Sequence, residues 1–364
     1  MSNTAKDILI PSSTSTFRIT FLYVGQGDCT LLTIPDNGAF KYVLIDTNRD
    51  KEAGGIDIKK MLSDLLDDGL DVFINTHPHK DHLVGIKEIH SSTPIGEVWH
   101  SGHVPGKDHD EAYQEMKEVI KDIGDENEYF LFGTNSENKV RKSKEDSSGV
   151  TKKLGDIDYI VLSPAKYVTD DVDNEDADTR YKRIHERCGV IKYYYGDPTP
   201  VNIMVTGDSD KTAWKEHITE YHKEKLPSEV LRSSHHGSRS FFKDSKDDED
   251  VYEDHIEEIS PSHIVVSAPK QSESKHDHPH DDAIELYKNH LDDEDNLYHL
   301  GKNRESVIVD IYSDGKYDVK FDKDLVEKYG FDDDDGGNSG KLASGPAIIG
   351  GSTTVLDRKP SGRK

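Results

Sequence analysis

Hydrophobic and polar residues alternate along several short stretches of the chain, and this alternation predicts β-strands with one buried face. Other stretches repeat apolar residues at helical spacing, as Ile56, Met61 and Leu62 do within 56–66. The mixture predicts an α/β protein. The predicted strands cover 17–24, 29–34, 41–45, 71–75, 96–99, 159–162, 190–195, 201–205, 230–232, 264–266, 307–312 and 317–321. The predicted helices cover 56–66, 83–89, 111–123, 211–221 and 281–289.

Changes of composition along the chain divide it into an N-terminal segment, one domain with an insertion, and a C-terminal tail. Residues 1–15 are rich in Ser and Thr and predict a flexible N-terminus, whereas 16–330 carry the strand and helix patterns of one domain. Within that domain, 133–153 form a polar, Lys-rich insertion. From 331 the chain runs into aspartates and then Gly/Ser-rich sequence, which predicts a disordered tail at 331–364. The segment 353–356 could serve as a short peptide for a protein partner, and a solvated tail is the alternative.

Overall charge limits the classes of partner. The 364 residues are 33% hydrophobic and 32% charged, with a formal net charge of −26. Such a charge disfavours coating of nucleic acid or of an anionic membrane by the whole surface, but it leaves room for a local positive site. The two cysteines, Cys29 and Cys188, make no disulfide framework. Without a signal-peptide pattern or an apolar run of membrane-spanning length, we expect a cytoplasmic protein that makes no membrane contact.

The strongest chemical signal is the stretch 76–82, which follows a predicted strand and precedes a predicted helix. His77, His79 and His82 fall within six residues together with Asp81. Side chains two apart on an extended chain point the same way, so His77 and His79 can reach one ion. Asp81 and His82 enter the first helical turn and face a second position. Imidazole and carboxylate crowded in this order predict metal binding rather than a polar loop.

Further potential ligands stand at the ends of other predicted strands, and strand ends along one edge of a layered αββα sandwich converge. One carboxylate can bind two ions through its two oxygens, and Asp208 is the natural bridge. Two divalent ions, the carboxylates of Asp81 and Asp208, and a bridging hydroxide sum to a charge of +1, which suits an anionic substrate such as a phosphate ester. The recurring strand-end ligands are Asp46, the 77–82 group, His100 or His103, Asp208, and His235 or His236.

The pattern resembles the metallo-β-lactamase-fold hydrolases, in particular the hydrolase domain of the bacterial competence protein ComEC. The resemblance runs from about Phe17 to Phe321 and implies a four-layer αββα metallo-β-lactamase sandwich. Two departures concern substrate choice: Tyr23 replaces a usual Asp, and 185–188 (His-Glu-Arg-Cys) replace an Asn/Ser-rich strand entry. The segments that carry the resemblance are 21–28 (FLYVGQGD), 44–47 (LIDT), the 77–82 loop, 205–208 (VTGD), 235–238 (HHGS) and 278–280 (HPH).

By this resemblance, His77, His79 and a later His hold the first ion, and Asp81, His82 and the His235/His236 motif hold the second. Asp208 bridges the two ions. For the third motif His100 and His103 both fit, and we prefer His103 because it lies in the loop. Of His235 and His236, only one need bind metal directly. Asp46 resembles the carboxylate that holds a ligand imidazole in its tautomer; a turn cap is the alternative.

Later residues are candidates for contact with the substrate. By the same resemblance His278 or His280 can contact a phosphate oxygen or protonate the leaving group, and we assign His280 to catalysis and His278 to substrate binding. A polar helix N-terminus is the alternative. Ser238 can donate to a substrate oxygen or satisfy its own turn. Imidazole with carboxylate suits two Zn²⁺ ions, and Mn²⁺ or iron would also be compatible.

Three functions remain open at this point. The first is a dinuclear phosphodiesterase or nuclease, acting on a nucleic acid or nucleotide through a hydroxide that bridges the metals. The second is a hydrolase of a small phosphoester, ester or amide, which the charge of −26 favours. The third is a binding module without catalysis, with the tail recruiting a partner. Six basic residues against two acidic ones in 139–153 favour the nuclease, since this insertion could grip phosphates.

Overall fold

The computed structural model describes residues 3–105, 110–171 and 174–331, so the predicted tail lies outside the described residues. Its strands are β1 Thr16–Phe21, β2 Thr30–Asp36, β3 Ala39–Ile45, β4 Leu70–Asn75, β5 Ile95–His100, β6 Glu128–Phe130, β7 Lys139–Val140, β8 Val150–Thr151, β9 Asp158–Ser163, β10 Val190–Tyr195, β11 Val201–Val205, β12 Val230–Arg232, β13 His263–Val266, β14 Leu297–His299, β15 Ser306–Tyr312 and β16 Tyr317–Asp322.

The helices alternate with these strands through most of the chain. A π-helical segment, Ala213–Ile218, leads into α7 and replaces the regular helix predicted there. The helices are α1 Ala5–Leu9, α2 Ile58–Leu65, α3 Ile86–Ser92, α4 Asp110–Ile123, α5 Lys166–Asp170, α6 Ala177–Lys182, α7 Thr219–His222, α8 Asp254–Ile259, α9 Asp281–Asn289, α10 Leu300–Asn303 and α11 Asp324–Tyr329.

Two large sheets form the centre of the fold. The first has eight strands in the order β16-β15-β1-β2-β3-β4-β5-β6, and the second has six in the order β14-β13-β12-β11-β10-β9. Strands β3 to β6 run parallel to one another, as do β11 to β14. Each parallel set therefore brings the carboxyl ends of its strands to one edge.

The alternation along each strand divides its residues between two apolar layers. In β1, Phe17, Ile19 and Phe21 face the inner core, which also takes Ile191 and Tyr193 from the second sheet. A second core lies between the first sheet and helices α1 to α4 and α11. A third core lies between the second sheet and the π-helical segment, α8 and α9. The predicted four-layer αββα sandwich is confirmed.

The expectation of a flexible N-terminus needs correction. Ala5, Ile8 and Leu9 are buried in the second core, and Thr4 caps the helix in a reciprocal arrangement with Asp7. Both features stabilise a short helix, because they satisfy free amide groups and bury an apolar stripe. The prediction relied on the Ser/Thr-rich composition of 1–15. It overlooked the N-cap at Thr4 and the few apolar residues that follow it.

The Lys-rich insertion is folded against the domain rather than free. The short strands β7 and β8 pair with each other, and three of the lysines have fixed partners. Lys142 donates to the carbonyl of Glu126, Lys152 pairs with Glu97, and Lys153 pairs with Asp158. Arg141 differs from these lysines, because its side chain is fully buried.

The predicted site residues gather at one edge of the sandwich. Asp46 follows β3, the 77–82 loop follows β4, Asp208 follows β11 and the 235–236 pair follows β12. Strands β3 and β4 form one parallel pair, and β11 and β12 form another. The carboxyl ends of all four strands lie at this edge. Across the described ranges we find no helix of the length and apolar character needed to cross a bilayer.

Candidate metal centre

Asp208 lies at the centre of a group of imidazoles. The Nε2 atoms of four histidines point at its carboxylate, and within the described part of the chain both groups of side chains that could hold an ion include it. The distances to its oxygens are 3.6 Å from His77, 3.3 Å from His82, 3.7 Å from His235 and 3.5 Å from His236. Its carboxylate therefore faces both sides of the site, as the prediction of a bridging ligand requires.

The spacing and the lack of other partners fit metal ions. The Nε2 atoms of His77, His82 and His236 are buried without a hydrogen-bond partner, and so is Asp208 Oδ1. Distances of 3.3–3.7 Å are long for an N–H···O bond. Two ligand atoms that each lie about 2.1 Å from a tetrahedral ion are about 3.4 Å apart. The donor set is imidazole with carboxylate, which suits zinc and related divalent ions.

The residues form two groups that share Asp208. The first group, which we call the first cluster, is His77, His79, His185 and Asp208; the second cluster is Asp28, His82, Asp208 and His236. Within each cluster the ligand atoms lie within 4.8 Å of one another. Two ions therefore fit, one in each cluster.

A hydrogen-bond partner on the other ring nitrogen orients several of these imidazoles. His82 Nδ1 lies 2.8 Å from Asp46, and His236 Nδ1 lies 3.0 Å from the carbonyl oxygen of Ser267, to which it can donate. Such contacts fix the tautomer that leaves Nε2 free for a metal. Asp46 also accepts from the Thr76 amide at 2.8 Å and the Thr76 hydroxyl at 2.6 Å, which holds its own carboxylate in place.

Buried charges set the protonation of the cluster. Burial alone would raise the pKa of Asp208, but His236, His82, His235 and His77 outweigh it and hold that pKa well below its usual range. Burial would lower the pKa of His82, yet the carboxylates of Asp208 and Asp46 raise it well above the usual value. Burial, with the charge of His82, lowers the pKa of His77. The site therefore keeps its central carboxylate ionised.

The third histidine of the first cluster is His185, which sequence reasoning passed over in favour of His103. The His185 ring lies 5.7 Å from that of His77 and 5.1 Å from that of His79. His100 is occupied elsewhere: its Nε2 contacts Glu128 at 2.9 Å, and its Nδ1 accepts from the Gly102 amide. His103 is buried but belongs to neither cluster. The geometry therefore replaces both candidates for the third motif by His185.

A signal for His185 was present in the strand pairing. Strands β10 and β11 are antiparallel, with Ile191 opposite Val205. Continuing that register brings Cys188 opposite Asp208, and the Asp208 amide does donate to Cys188 Sγ at 3.0 Å. The residues just before β10 therefore meet those just after β11. His185 was missed because it lies just before a strand, whereas the candidate ligands were taken from residues that follow strands.

Asp28 and Asp81 both adjoin the second cluster, from different sides. Asp28 is buried, forms an ion pair with Arg232, and lies 3.4 Å from His236 Nδ1. Asp81 Oδ2 lies 3.4 Å from His236 Nε2, the nitrogen that faces Asp208. Asp81 thus stands on the side of the His236 ring that faces Asp208, whereas Asp28 contacts the Nδ1 side. Asp28 ends the segment 21–28, which carries part of the family resemblance, but the sequence analysis gave this residue no role.

The structure separates the neighbours His235 and His236. His236 is buried with its Nε2 between Asp81 and Asp208, while the His235 side chain is 19% exposed. The His235 Nδ1 contacts Ser240 Oγ at 2.9 Å. Both residues have left-handed backbone angles, with φ of 49° and 54°, which non-glycine residues seldom adopt. This tight turn directs one ring into the cluster and the other to its mouth.

The predicted substrate residues lie beside this mouth. The His278 ring is 5.1 Å from that of His235 and 6.1 Å from that of His236. His280 is one step further out: its ring contacts His278 at 4.8 Å, and its Nδ1 accepts from the Arg239 amide. Ser238 is buried, and its hydroxyl accepts from the Ser240 amide, so it caps its own turn. Of the three, His278 is placed best to meet a substrate.

Comparisons with known proteins give matches of fold only. No family model and no curated protein matches the chain. Among solved structures, it is similar to Igni18, a metallo hydrolase from Ignicoccus hospitalis, with 11% identity, 83% of this chain and 98% of that chain covered, and a TM-score of 0.45. It is also similar to the metallo-β-lactamase fold protein YhfI from Bacillus subtilis, with 11% identity, coverage of 78% and 95%, and a TM-score of 0.41.

A third similar structure has a different chemistry. CmlA from Streptomyces venezuelae is a diiron β-hydroxylase, 12% identical, with 79% of this chain covered and a TM-score of 0.44. The chain spans 53% of the length of CmlA. Similarities this distant carry no argument about activity. The fold class rests on the chain's own two sheets and flanking helices, which form the αββα sandwich predicted from the sequence.

Proposed function

We propose that the chain is a metal-dependent hydrolase that cleaves a phosphodiester. One observation carries the proposal: Asp208 faces the Nε2 atoms of four histidines at 3.3–3.7 Å, and most of these atoms are buried without another partner. Burial of so many uncompensated polar atoms is costly unless an ion completes them. When bound, a pair of divalent ions supplies an activated water and neutralises charge on a phosphate.

The chain's own residues have distinct roles in this scheme. His77, His79 and His185 would hold one ion, and Asp81, His82 and His236 the other, with Asp208 shared. Asp46 would orient His82. The ligand carboxylates leave a centre of net positive charge, because two dications outweigh Asp81 and Asp208, and a centre of this sign attracts a phosphodiester anion.

Two residues at the mouth would contact the substrate. The His278 Nδ1 lacks a hydrogen-bond partner, and its ring lies against those of both His235 and His236. Its imidazole can therefore donate to an oxygen of the leaving group. His280 would position His278, since its own Nδ1 is taken by the Arg239 amide. This reverses the roles that the sequence suggested for the two histidines.

A small phosphodiester suits the surface better than a long nucleic acid. Lys142, Lys152 and Lys153 are engaged with the body of the domain, so the insertion offers fewer free cations than its composition suggests. The net charge of −26 also opposes a polyanion. The likeness to ComEC, cleavage of nucleic acid, and recruitment of a partner by the tail stay secondary predictions.

A panel of chromogenic esters tests the proposal. Protein reconstituted with Zn²⁺ or Mn²⁺ is assayed with bis-p-nitrophenyl phosphate, p-nitrophenyl phosphate, p-nitrophenyl acetate and a chromogenic lactam. We expect the diester to give a kcat/KM at least about 10-fold above the others. His77→Ala should lower it by at least about 100-fold. His90→Ala, on α3 and paired with Asp122, is the matched control and should retain activity.

The alternatives give different results in the same assay. Preference for the monoester, acetate or lactam would favour the hydrolase of a small ester or amide. Turnover of no substrate by protein with its full metal content would contradict hydrolysis and favour a binding module. DNA retardation that weakens with salt would favour the nuclease, since phosphate contacts release counterions.

A further inference from the structure

We propose that Asp28 and Arg232 form a buried ion pair that positions the ligands of the second ion without binding that ion. Both side chains are buried, and Arg232 Nη2 pairs with Asp28 Oδ1. Of the arginines and lysines in the described ranges, Arg232 is the one that pairs with Asp28. The role of the pair rests on the proposed function for the two ions alone, and it does not depend on which substrate they act upon.

Asp28 lies on the far side of two imidazoles from Asp208. His82 presents Nε2 to Asp208 at 3.3 Å and Nδ1 to Asp28 Oδ2 at 3.7 Å. His236 presents Nε2 to Asp208 at 3.5 Å and Nδ1 to Asp28 Oδ1 at 3.4 Å. The two nitrogens of one imidazole point in divergent directions, so an ion held by Nε2 is out of reach of a carboxylate beside Nδ1. Asp28 is therefore a neighbour of these imidazoles rather than a fellow ligand.

The charge of Asp28 acts on both imidazoles at once. Each Nδ1 has a closer partner, which is Asp46 for His82. For His236 the closer partner is the carbonyl oxygen of Ser267. Asp28 adds a negative charge that the two rings share, and this charge favours the tautomer with hydrogen on Nδ1. That tautomer leaves the lone pair on Nε2, the nitrogen that faces the metal position.

Arg232 connects Asp28 to the residue that both ions share. It is the last residue of β12, and its Nη1 donates to the Gly207 carbonyl at 3.2 Å while its Nη2 pairs with Asp28. Gly207 directly precedes Asp208. The guanidinium can make both contacts because it carries donors on separate nitrogens of one rigid plane. The backbone before Asp208 and the carboxylate of Asp28 are therefore linked through a single rigid group.

The backbone beside Asp28 reaches the remaining ligands. The Asp28 amide donates to the Asp81 carbonyl at 3.3 Å, and the Gly27 carbonyl accepts from the Ser267 hydroxyl at 2.9 Å. Ser267 is the residue whose own carbonyl orients His236. The approach is close, since an added Cβ on Gly27 would lie 2.4 Å from the Asp81 carbonyl oxygen. One short segment thus contacts the chain at Asp81 and at the residue that holds His236.

These contacts together reach all the residues that would hold the second ion, which are Asp81, His82, His236 and Asp208. Of this set, Asp208 alone belongs to the first cluster as well. Loss of the ion pair should therefore weaken binding of the second ion more than binding of the first. Removing either partner leaves a buried charge without compensation, so Asp28 and Arg232 act as a unit.

A direct metal ligand at Asp28 is the alternative, and it predicts the opposite result for one substitution. Arg232→Lys keeps the positive charge but offers one nitrogen, which cannot replace a guanidinium that holds both Asp28 and the Gly207 carbonyl. If the pair positions the ligands, affinity for the second ion should fall. If Asp28 binds the ion, a weaker pair with Arg232 frees its carboxylate, and the affinity should rise.

Two backgrounds separate the ions in the experiment. His77→Ala removes a ligand of the first ion, and His82→Ala removes a ligand of the second. The metal-free chain is titrated with Co²⁺ in competition with a chelator, which measures the affinity of the ion that remains. Arg232→Lys and Asp28→Asn should each lower Co²⁺ affinity about 10-fold to 100-fold in the His77→Ala background. In the His82→Ala background each should change it by less than about 3-fold.

Arg18 and Asp310 provide matched controls, because they form a similar pair in the first sheet. Arg18 Nε and Nη2 donate to Asp310 at 2.6 Å and 2.8 Å, and Arg18 Nη1 donates to the Ile8 carbonyl. Arg18→Lys and Asp310→Asn should lower stability to urea while leaving both Co²⁺ affinities within about 3-fold. They show what a purely structural ion pair does to metal binding.

Ser267→Ala decides the question if the ion-pair variants do not fold, which circular dichroism shows. It removes the hydroxyl that donates to Gly27 and keeps the carbonyl that orients His236, so affinity for the second ion should fall about 3-fold to 10-fold. Unchanged affinity for the second ion in any folded variant, or higher affinity in Arg232→Lys, would overturn the inference. Equal losses for the two ions would also overturn it, because they would indicate a general effect on the fold.

Failure of this role and failure of the proposed function are distinguishable. If Arg232→Lys weakens the second ion selectively, the positioning role stands even where the wild type cleaves no phosphodiester. If the diester is cleaved and Arg232→Lys leaves both affinities unchanged, the positioning role is refuted and the hydrolase stands. A wild type that binds fewer than two Co²⁺ ions refutes the positioning role whatever its activity.

Discussion

Cys188 lies between Asp208 and His77: its Sγ accepts from the Asp208 amide at 3.0 Å and lies 3.4 Å from His77 Nδ1. One thiol thus contacts both the shared carboxylate residue and an imidazole of the first cluster. Burial raises the pKa of Cys188, so at neutral pH it is a thiol rather than a thiolate. Its contacts suggest that it positions ligands rather than binding an ion.

Cys188→Val should weaken metal binding and destabilise the fold. The change removes the acceptor of the Asp208 amide, and a buried donor left unsatisfied costs about 1–3 kcal/mol. Urea unfolding measures the free energy, and a chelator competition measures metal affinity. Cys29→Val, at a buried cysteine in the second core, is the control and should leave metal affinity unchanged. Equal metal affinity in both variants would count against a positioning role.

The ligand assignment predicts opposite results for two histidines. His185→Ala should lower the metal content to about one ion per chain, because the first cluster loses one of its three imidazoles. His103→Ala should keep the wild-type content, since His103 belongs to neither cluster. Elemental analysis after exhaustive dialysis decides between them. Metal lost from His103→Ala but not from His185→Ala would restore the assignment favoured by sequence.

Asp46→Asn should reduce metal affinity by about 10-fold to 100-fold, the usual cost of losing a carboxylate behind a metal-bound imidazole. The substitution keeps the size of the side chain but removes the charge beside His82 Nδ1. Activity should return when excess metal is supplied, whereas activity of Asp208→Asn should not. Failure of excess metal to rescue Asp46→Asn would point to a structural role through Thr76 and Asn75.

Acid should destabilise the protein partly through His255, which lies outside the metal centre. Its ring is surrounded by Trp214, Phe241 and Tyr252, and burial lowers its pKa to about 3. An unfolded histidine titrates near about 6.5. The stabilisation from burying the neutral ring is therefore complete above that pH and is lost progressively as the pH falls toward the folded value, by about 1.4 kcal/mol per pH unit.

Urea unfolding between pH 7 and pH 4.5 measures this effect. In His255→Phe the aromatic contacts remain but the titrating group is gone, so stability should fall less steeply with acid than in the wild type. Each curve plots the free energy of unfolding against pH. Below pH 6, the slopes of the two curves should differ by up to about 1.4 kcal/mol per pH unit. Parallel curves would show that His255 does not titrate as described.

The site residues that could be predicted from the sequence are those that directly follow a strand with a clear hydrophobic pattern. The order of ligands in 77–82 stands at a strand end, and Asp46 and Asp208 follow strands that alternate clearly. Parallel strands bring their carboxyl ends to one edge, so these residues could be placed together without a structure.

The failures arise from long-range pairing and from composition. His185 precedes a strand, and its place in the first cluster depends on the antiparallel pairing of β10 with β11. The N-terminal helix is stabilised by packing onto the second core, which Ser/Thr-rich composition conceals. Arg141 lies among lysines in the sequence, and its complete burial depends on how the insertion folds back onto β6.

The central claim is that separated imidazoles and carboxylates together hold two ions around Asp208. Elemental analysis of the purified protein after metal reconstitution and dialysis tests it most directly, with Asp208→Asn measured in parallel. The account predicts about two divalent ions per folded wild-type chain and at most one in the variant. A folded wild-type protein that retains no metal, or an Asp208→Asn variant that keeps both ions, would contradict it.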